Sequence, residues 1–243
     1  MINKKINKKI LSVWKKHFGA SDEIYAPIFH DEFKTGGIIF VGMNPSFDAR
    51  GVRKLVRGTE YEKITPDFYR WRAFALDPKR IDTSIAIGRL VTEKYVFFKR
   101  MHEIAQEANM HFQHLDLFVY RQTKQNEFMR LVRDKSGTLN TFGYDQLKIF
   151  LEVLKGIHPK IIVVSNAGAG AILKDYFKKE IHFDDKRGFH QLSLNDSKIP
   201  IFFSSMLSGQ RALDNGSYER LLWHVTQSVT RGGVPTSSSR ELS

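Results

Sequence analysis

The run GIIFVGM at residues 37–43 is apolar and β-branched. It is long enough for a buried strand and too short for a helix. Four further segments set the rhythm of the chain. FQHLDLFVYR (residues 112–121) reads as a second strand. KIIVVSNAGAGAILKDYFKK (residues 160–179) reads as strand, small-residue turn and helix. GFHQLSLNDSKIPIFFSSM (residues 188–206) reads as two strands joined by an NDSK turn, and SYERLLWHVTQSV as a closing helix. Residues 94–109 and YDQLKIFLEVLKGIHP read as helices, the second stopped by Gly156 and Pro159. Strands alternating with helices predict an α/β fold: a three-layer α/β/α sandwich with a mostly parallel central sheet of about four strands.

In such sheets ligands sit beyond the carboxyl ends of the strands. Those ends carry GMNPSF, DLFVYRQ, SNAGAG and SSMLSGQR, so four polar loops are expected on one rim. Asn44, at the first of them, has two readings. It is an Asn-Pro turn, or part of a site.

The charge is lopsided: 38 Lys and Arg against 26 Asp and Glu, a formal +12. That excess favours a polyanionic partner, nucleic acid first. Residues 50–100 carry thirteen basic and six acidic side chains, interleaved with Tyr61, Phe68, Tyr69, Trp71 and Phe74. Basic groups hold phosphates and rings stack on bases. The same pattern also describes a helical subdomain with a solvated basic face. The expected organisation is one domain over 1–230, with a basic amphipathic helix at 1–20, a basic helical insertion at about 50–93 and a flexible Gly/Ser/Pro-rich tail at 231–243.

With no cysteine in the chain, thiolate nucleophiles, disulfides, Cys-ligated zinc and iron–sulfur clusters are excluded. His111 and His114 would lie on opposite faces of a strand, and His182, His190 and His224 lack ligand spacing, so no metal is expected. No apolar run approaches the length of a membrane span, and lysines interrupt the N-terminus too often for a secretory signal. A cytoplasmic monomer is expected, nucleoid-associated if bacterial and nuclear if eukaryotic.

The four rim loops, in order, resemble the uracil-DNA glycosylase superfamily. GMNPS is similar to its first motif, read GMNPG or GINPG in some branches. HLDLFVYRQ resembles its middle strand and VVSNAGAGAIL the strand–turn–helix that follows. RGFHQLSLNDSKIPIFFSSMLSGQRALD resembles its late segment, with MLSG where that family has HPS or NPSG. The resemblance covers about residues 36–230, apart from most of 50–93. It implies hydrolysis of the N-glycosidic bond of a damaged base flipped out of DNA, without a cofactor. No lysine sits in the motifs, so strand cleavage is not expected.

By the same resemblance Asn44 positions the water and Ser208 belongs to the catalytic loop. Gly42, Met43, Ser46, Phe47, Asp116 and Asn166 would bind the base, with Tyr61 an alternative stacking ring to Phe47. Met206, Gly209, Gln210 and Arg211 would meet DNA, Gln210 as the wedge. Three departures matter. Ser46 replaces a glycine. Met206 stands where several branches donate from a histidine, and losing such a donor costs about 3–4 kcal/mol. Asp116, when ionised, accepts hydrogen bonds only, which suits an exocyclic amine better than uracil's O4. These departures equally suit a relative that binds modified nucleotides without cleaving. A dinucleotide enzyme using NAGAGAIL as a phosphate loop is a third, weaker reading, because Leu173 replaces the last glycine.

Overall fold

The computed structural model describes residues 2–46, 48–209 and 212–232; the 231–243 tail lies outside them beyond Gly232. Strand β1 (Ile38–Gly42) lies second from one edge of the sheet and pairs in parallel with β2 (Phe112–Asp116) and β3 (Ile161–Val164). β3 pairs in parallel with β6 (Ser197–Phe203). The sheet does not stop there. β5 (Phe189–Leu194) and β4 (Ile181–Asp184) add an antiparallel edge, giving six strands in the order β2-β1-β3-β6-β5-β4. The expected count of about four is therefore too low; it matches only the parallel portion. β4 is four residues with half-exposed side chains, and pairing with β5 defines it more than any hydrophobic run.

The β5–β6 turn is tight for a reason readable in its residues. Asn195 and Asp196 both adopt positive φ, 49° and 60°, as a two-residue turn matched to strand twist demands. Elsewhere β1 buries both faces. Ile39 and Val41 join one core with α1 (Ile2–Phe18), α7 (Thr141–Ile157) and α8 (Ala167–Tyr176). Ile38 and Phe40 join another with α5 (Lys99–Glu107) and α9 (Asn215–Gly232). Helices thus cover both faces of the sheet, which makes the chain an α/β sandwich. α7 runs through Gly156 and stops at His158, whose φ is 50°, just before Pro159.

The lysine-rich first helix docks on the body of the protein. Ile6, Ile10 and Trp14 are fully buried. Its basic face meets acids of α7: Lys9 with Glu152, and Lys16 with Asp145 at 2.6 Å. Part of the positive charge in α1 is therefore already partnered.

Residues 49–94 form three helices, α2 (Ala49–Leu55), α3 (Trp71–Leu76) and α4 (Arg80–Lys94). Backbone bonds stitch this layer to the body: Ala26 N donates to Tyr69 O at 2.7 Å, and Trp71 N to Ile24 O at 3.0 Å. Trp71 and Phe74 are fully buried, which anchors the layer beside the carboxyl end of the sheet.

Candidate functional site

At the carboxyl edge of the parallel strands lies a cleft of about 1400 Å³. Its floor is built by the four loops expected there. Gly42, Met43, Asn44 and Ser46 come from the end of β1, Asp116 from β2, Asn166 from the turn after β3, and Met206, Ser208 and Gly209 from the loop after β6. Phe47, Gln210 and Arg211 lie outside the described residues. Tyr61 does not line the cleft; it packs against the Val56–Tyr69–Ile87 cluster. Rings that line the cleft include Phe33, Tyr69, Tyr95, Phe97, Phe98 and Phe112.

Asn44 is held in one orientation. Its Nδ2 donates to Gln122 O at 2.7 Å and, over longer distances, to Pro45 O at 3.3 Å and Tyr120 O at 3.4 Å. Three carbonyls can be met only by the amide N–H groups. The Oδ1 accepts from no described residue, and it belongs to a half-buried side chain on the cleft lining. The loop behind it is laced to the segment after β2: Leu117 N to Gly42 O at 3.1 Å, Phe118 N to Met43 O at 3.1 Å, and Gln122 N to Pro45 O at 3.0 Å. The Asn-Pro dipeptide is thus a turn and part of the cleft at once.

Asp116 and His114 lie two residues apart on β2, and their side chains share one face. Asp116 Oδ1 is 3.9 Å from His114 Nε2, too far for a hydrogen bond. The Nε2 is buried and has no partner among the described residues. The ring edges onto Phe97 and Phe98, with centroids at 5.9 and 5.5 Å. Burial pushes the Asp116 carboxyl above its usual range, and the nearby His114 and Arg121 charges pull it partly back. The sequence presents His114 only as a metal-ligand candidate with His111. The missed signal was its two-residue spacing from Asp116 in a strand.

Arg121 supplies a half-buried cation at the cleft wall. Its Nε donates to Ala26 O at 3.1 Å, and its guanidinium lies over the Tyr69 ring at 5.1 Å. Burial lowers its pKa to about 10, which still leaves it charged at neutral pH.

Asn166 caps α8, accepting from Ala169 N at 3.0 Å. Its side chain occupies the helix N-terminus that a phosphate loop would offer. A Cβ on Gly168 would fall 2.5 Å from the Met43 Cε, so the tip of that methionine would have to shift.

The loop after β6 is braced from outside. Arg100 donates to Leu207 O at 3.2 Å, Leu213 O at 3.0 Å and Asn215 Oδ1 at 3.0 Å, and its guanidinium stacks on Tyr218. Gly209 has φ +88°, a backbone state that other residues adopt at a cost. The Ser208 Oγ is buried without a hydrogen-bond partner among the described residues. Among those residues no three His, Asp or Glu side chains gather where a metal could be held. None of their helices is long and apolar enough to cross a membrane.

Fold and cleft together define an α/β protein with a cleft at a strand-end rim. No family model matches the chain, and no curated protein matches it.

Proposed function

We propose that this protein hydrolyses the N-glycosidic bond of a damaged or deaminated base flipped out of DNA. The observation that carries the reading is Asn44: an amide whose nitrogen is tied to three carbonyls and whose oxygen is left to orient a water. An amide oxygen is a poor base, but a dissociative displacement needs the nucleophile placed more than activated. As the C1′–N bond breaks, its electron pair leaves with the base. The water oxygen bonds to C1′, and the water's proton ends on the departing base or in solvent.

Charge on the leaving base needs stabilising. Met206 cannot donate a hydrogen bond. Two groups beside the cleft answer to that need: the Ser208 hydroxyl, whose oxygen is buried and has no partner among the described residues and so must turn to reach the base, and the half-buried Arg121 cation. Lys124 at the start of α6 (Gln125–Val132), Arg130 on that helix and Arg89 on α4 line the cleft; Lys124 is paired with Glu127 and Arg89 with Asp31, so a phosphate backbone would have to compete with those acids there. The chain's +12 charge favours the same partner.

The test is a set of oligonucleotides, each with one modified base, incubated with the protein and then treated with alkali to cleave abasic sites. Cleavage that disappears in Asn44→Ala supports the enzyme. A second reading keeps the DNA and drops the turnover. It is favoured by Met206 on the cleft lining in place of a donor. Lesion-dependent binding with no alkali-labile product would establish it.

A further inference from the structure

We infer that the phosphate backbone of DNA lies across α2, held by Arg50, Arg53, Lys54 and Arg57. The inference rests on the base-excision reading above and concerns where that partner's backbone is gripped. Residues 50–100 carry thirteen basic side chains, and the structure sorts them. Arg70, Arg72, Arg80, Arg89 and Lys99 are each paired with an acid, and Arg100 is spent on the Leu207 and Leu213 carbonyls. The other seven have no acidic partner among the described residues, and four of these crowd into residues 50–57. All four are exposed. Their spacing, i, i+3, i+4 and i+7, puts them on one side of the helix. Gly51, Val52 and Leu55 line the cleft, and Val56 is fully buried. α2 is therefore a wall of the cleft with a basic stripe along its outer side.

Helix stability does not explain the stripe. Like charges at these spacings repel one another. Arg53 and Lys54 suit the carbonyl end of α2, but Arg50 sits in its first turn, where a cation opposes the helix dipole. No acid lies within residues 49–58 to offset them. The flanking acids Asp48 and Glu62 accept instead from the backbone, Asp48 from Arg50 N at 3.0 Å and Glu62 from Gly58 N at 3.1 Å. A row of unpaired cations is met by a regular row of negative charge, and a phosphodiester backbone is one. A lipid surface fits less well. It needs apolar side chains beside the cations, and those of α2 turn inward, Val52 and Val56 packing with Tyr69 and Ile87.

The experiment measures binding of the full chain to a fluorescein-labelled, unmodified DNA duplex by anisotropy, between about 50 and about 200 mM salt. The test variant carries Arg50→Gln, Arg53→Gln, Lys54→Gln and Arg57→Gln together. Glutamine keeps helix propensity, and thermal unfolding verifies the fold. Each phosphate contact contributes about 0.9 to the slope of log K against log salt, so the variant's slope should be shallower by about 3 to 4. Its affinity at about 50 mM salt should fall on the order of 100-fold. Arg72→Gln removes a cation already paired with Asp22 and should move the slope by less than about 1. Excision is read separately, by alkaline cleavage of the modified-base oligonucleotides. There the α2 variant should raise KM and leave kcat unchanged, because the grip lies away from the reacting atoms. If the variant binds duplex as tightly and as steeply with salt as the unaltered protein, the grip on α2 is overturned, and excision that depends on Asn44 keeps the base-excision reading. If binding falls in the variant but the unaltered protein excises no base, the grip stands and the excision is overturned. If the unaltered protein neither binds DNA nor excises a base, both are overturned.

Discussion

Gly42 on β1 lies directly opposite Asp116 on β2, and a methyl group built on Gly42 would fall 2.1 Å from the Asp116 Oδ1. The absent side chain is what lets a carboxyl lie across the strand end and line the cleft. Gly42→Ala should therefore act on Asp116 more than on the fold. The clash is with the tip of a side chain, which can rotate away. Expected is a stability loss of at most about 1–2 kcal/mol, measured by urea unfolding, with base selectivity degraded as far as in a direct Asp116 substitution. A variant that unfolds outright, or one that keeps full selectivity, would contradict this.

Asn44 is both a tie and a tool, and two substitutions separate the roles. Asn44→Ala removes the Nδ2 bonds to the 120–122 segment and should cost about 1–3 kcal/mol. It should also lower excision by on the order of 100-fold or more. Asn44→Asp keeps the shape but sets a carboxylate against the Gln122, Pro45 and Tyr120 carbonyls. It should lower the melting temperature more than Ala does at pH 8. Acidification should narrow the gap, because a protonated carboxyl can donate once.

The Asp116 carboxyl sits above its ordinary 3.8 in the folded chain, with burial the main cause and His114 and Arg121 opposing it. The folded state then holds the proton more tightly than the unfolded one. Stability from this group is fully present below the ordinary value and is lost as pH rises through the raised folded value. Asp116→Asn should remove that fall. Unfolding curves of the two proteins should converge near pH 3 and separate above it, the Asn variant being the more stable.

His30 gives the opposite slope. Burial lowers its pKa to about 4, so the folded protein keeps it neutral while the unfolded chain protonates near the ordinary 6.5. Its stabilising contribution is present above 6.5 and is lost as pH falls through about 4. His30 is half-buried by surface area, which trims the effect to roughly 1–3 kcal/mol. His30→Gln should flatten stability between those pH values, as read by denaturant titration at pH 7 and pH 4.

Arg100 lies outside the cleft yet holds its loop. Arg100→Ala leaves the Leu207 and Leu213 carbonyls without their donor, at about 1–3 kcal/mol. Amide exchange at residues 206–209, 212 and 213 should quicken while β1 and β3 stay protected. DNA binding by the unaltered protein should weaken by on the order of 100-fold or more when salt rises from about 50 to about 200 mM.

The strand runs were legible because β1 and β3 are short, apolar and β-branched, and burial on both sheet faces demands that pattern. The meeting of four loops at one rim followed from parallel topology alone. β4 was not legible, because IHFD has half-exposed side chains and is defined by hydrogen bonds to β5. Nor was α6, a two-turn helix against α7.

The residue types at the site came from the chain: an amide before a proline, a carboxyl at the end of β2, a serine and glycine after β6. Their states came from tertiary structure. The sequence cannot say that Gln122 O turns the Asn44 amide, that His114 faces Asp116, or that Arg121 stacks on Tyr69. Each depends on contacts between segments distant along the chain, and local patterns of hydrophobicity and turn chemistry carry no information about which distant atoms meet.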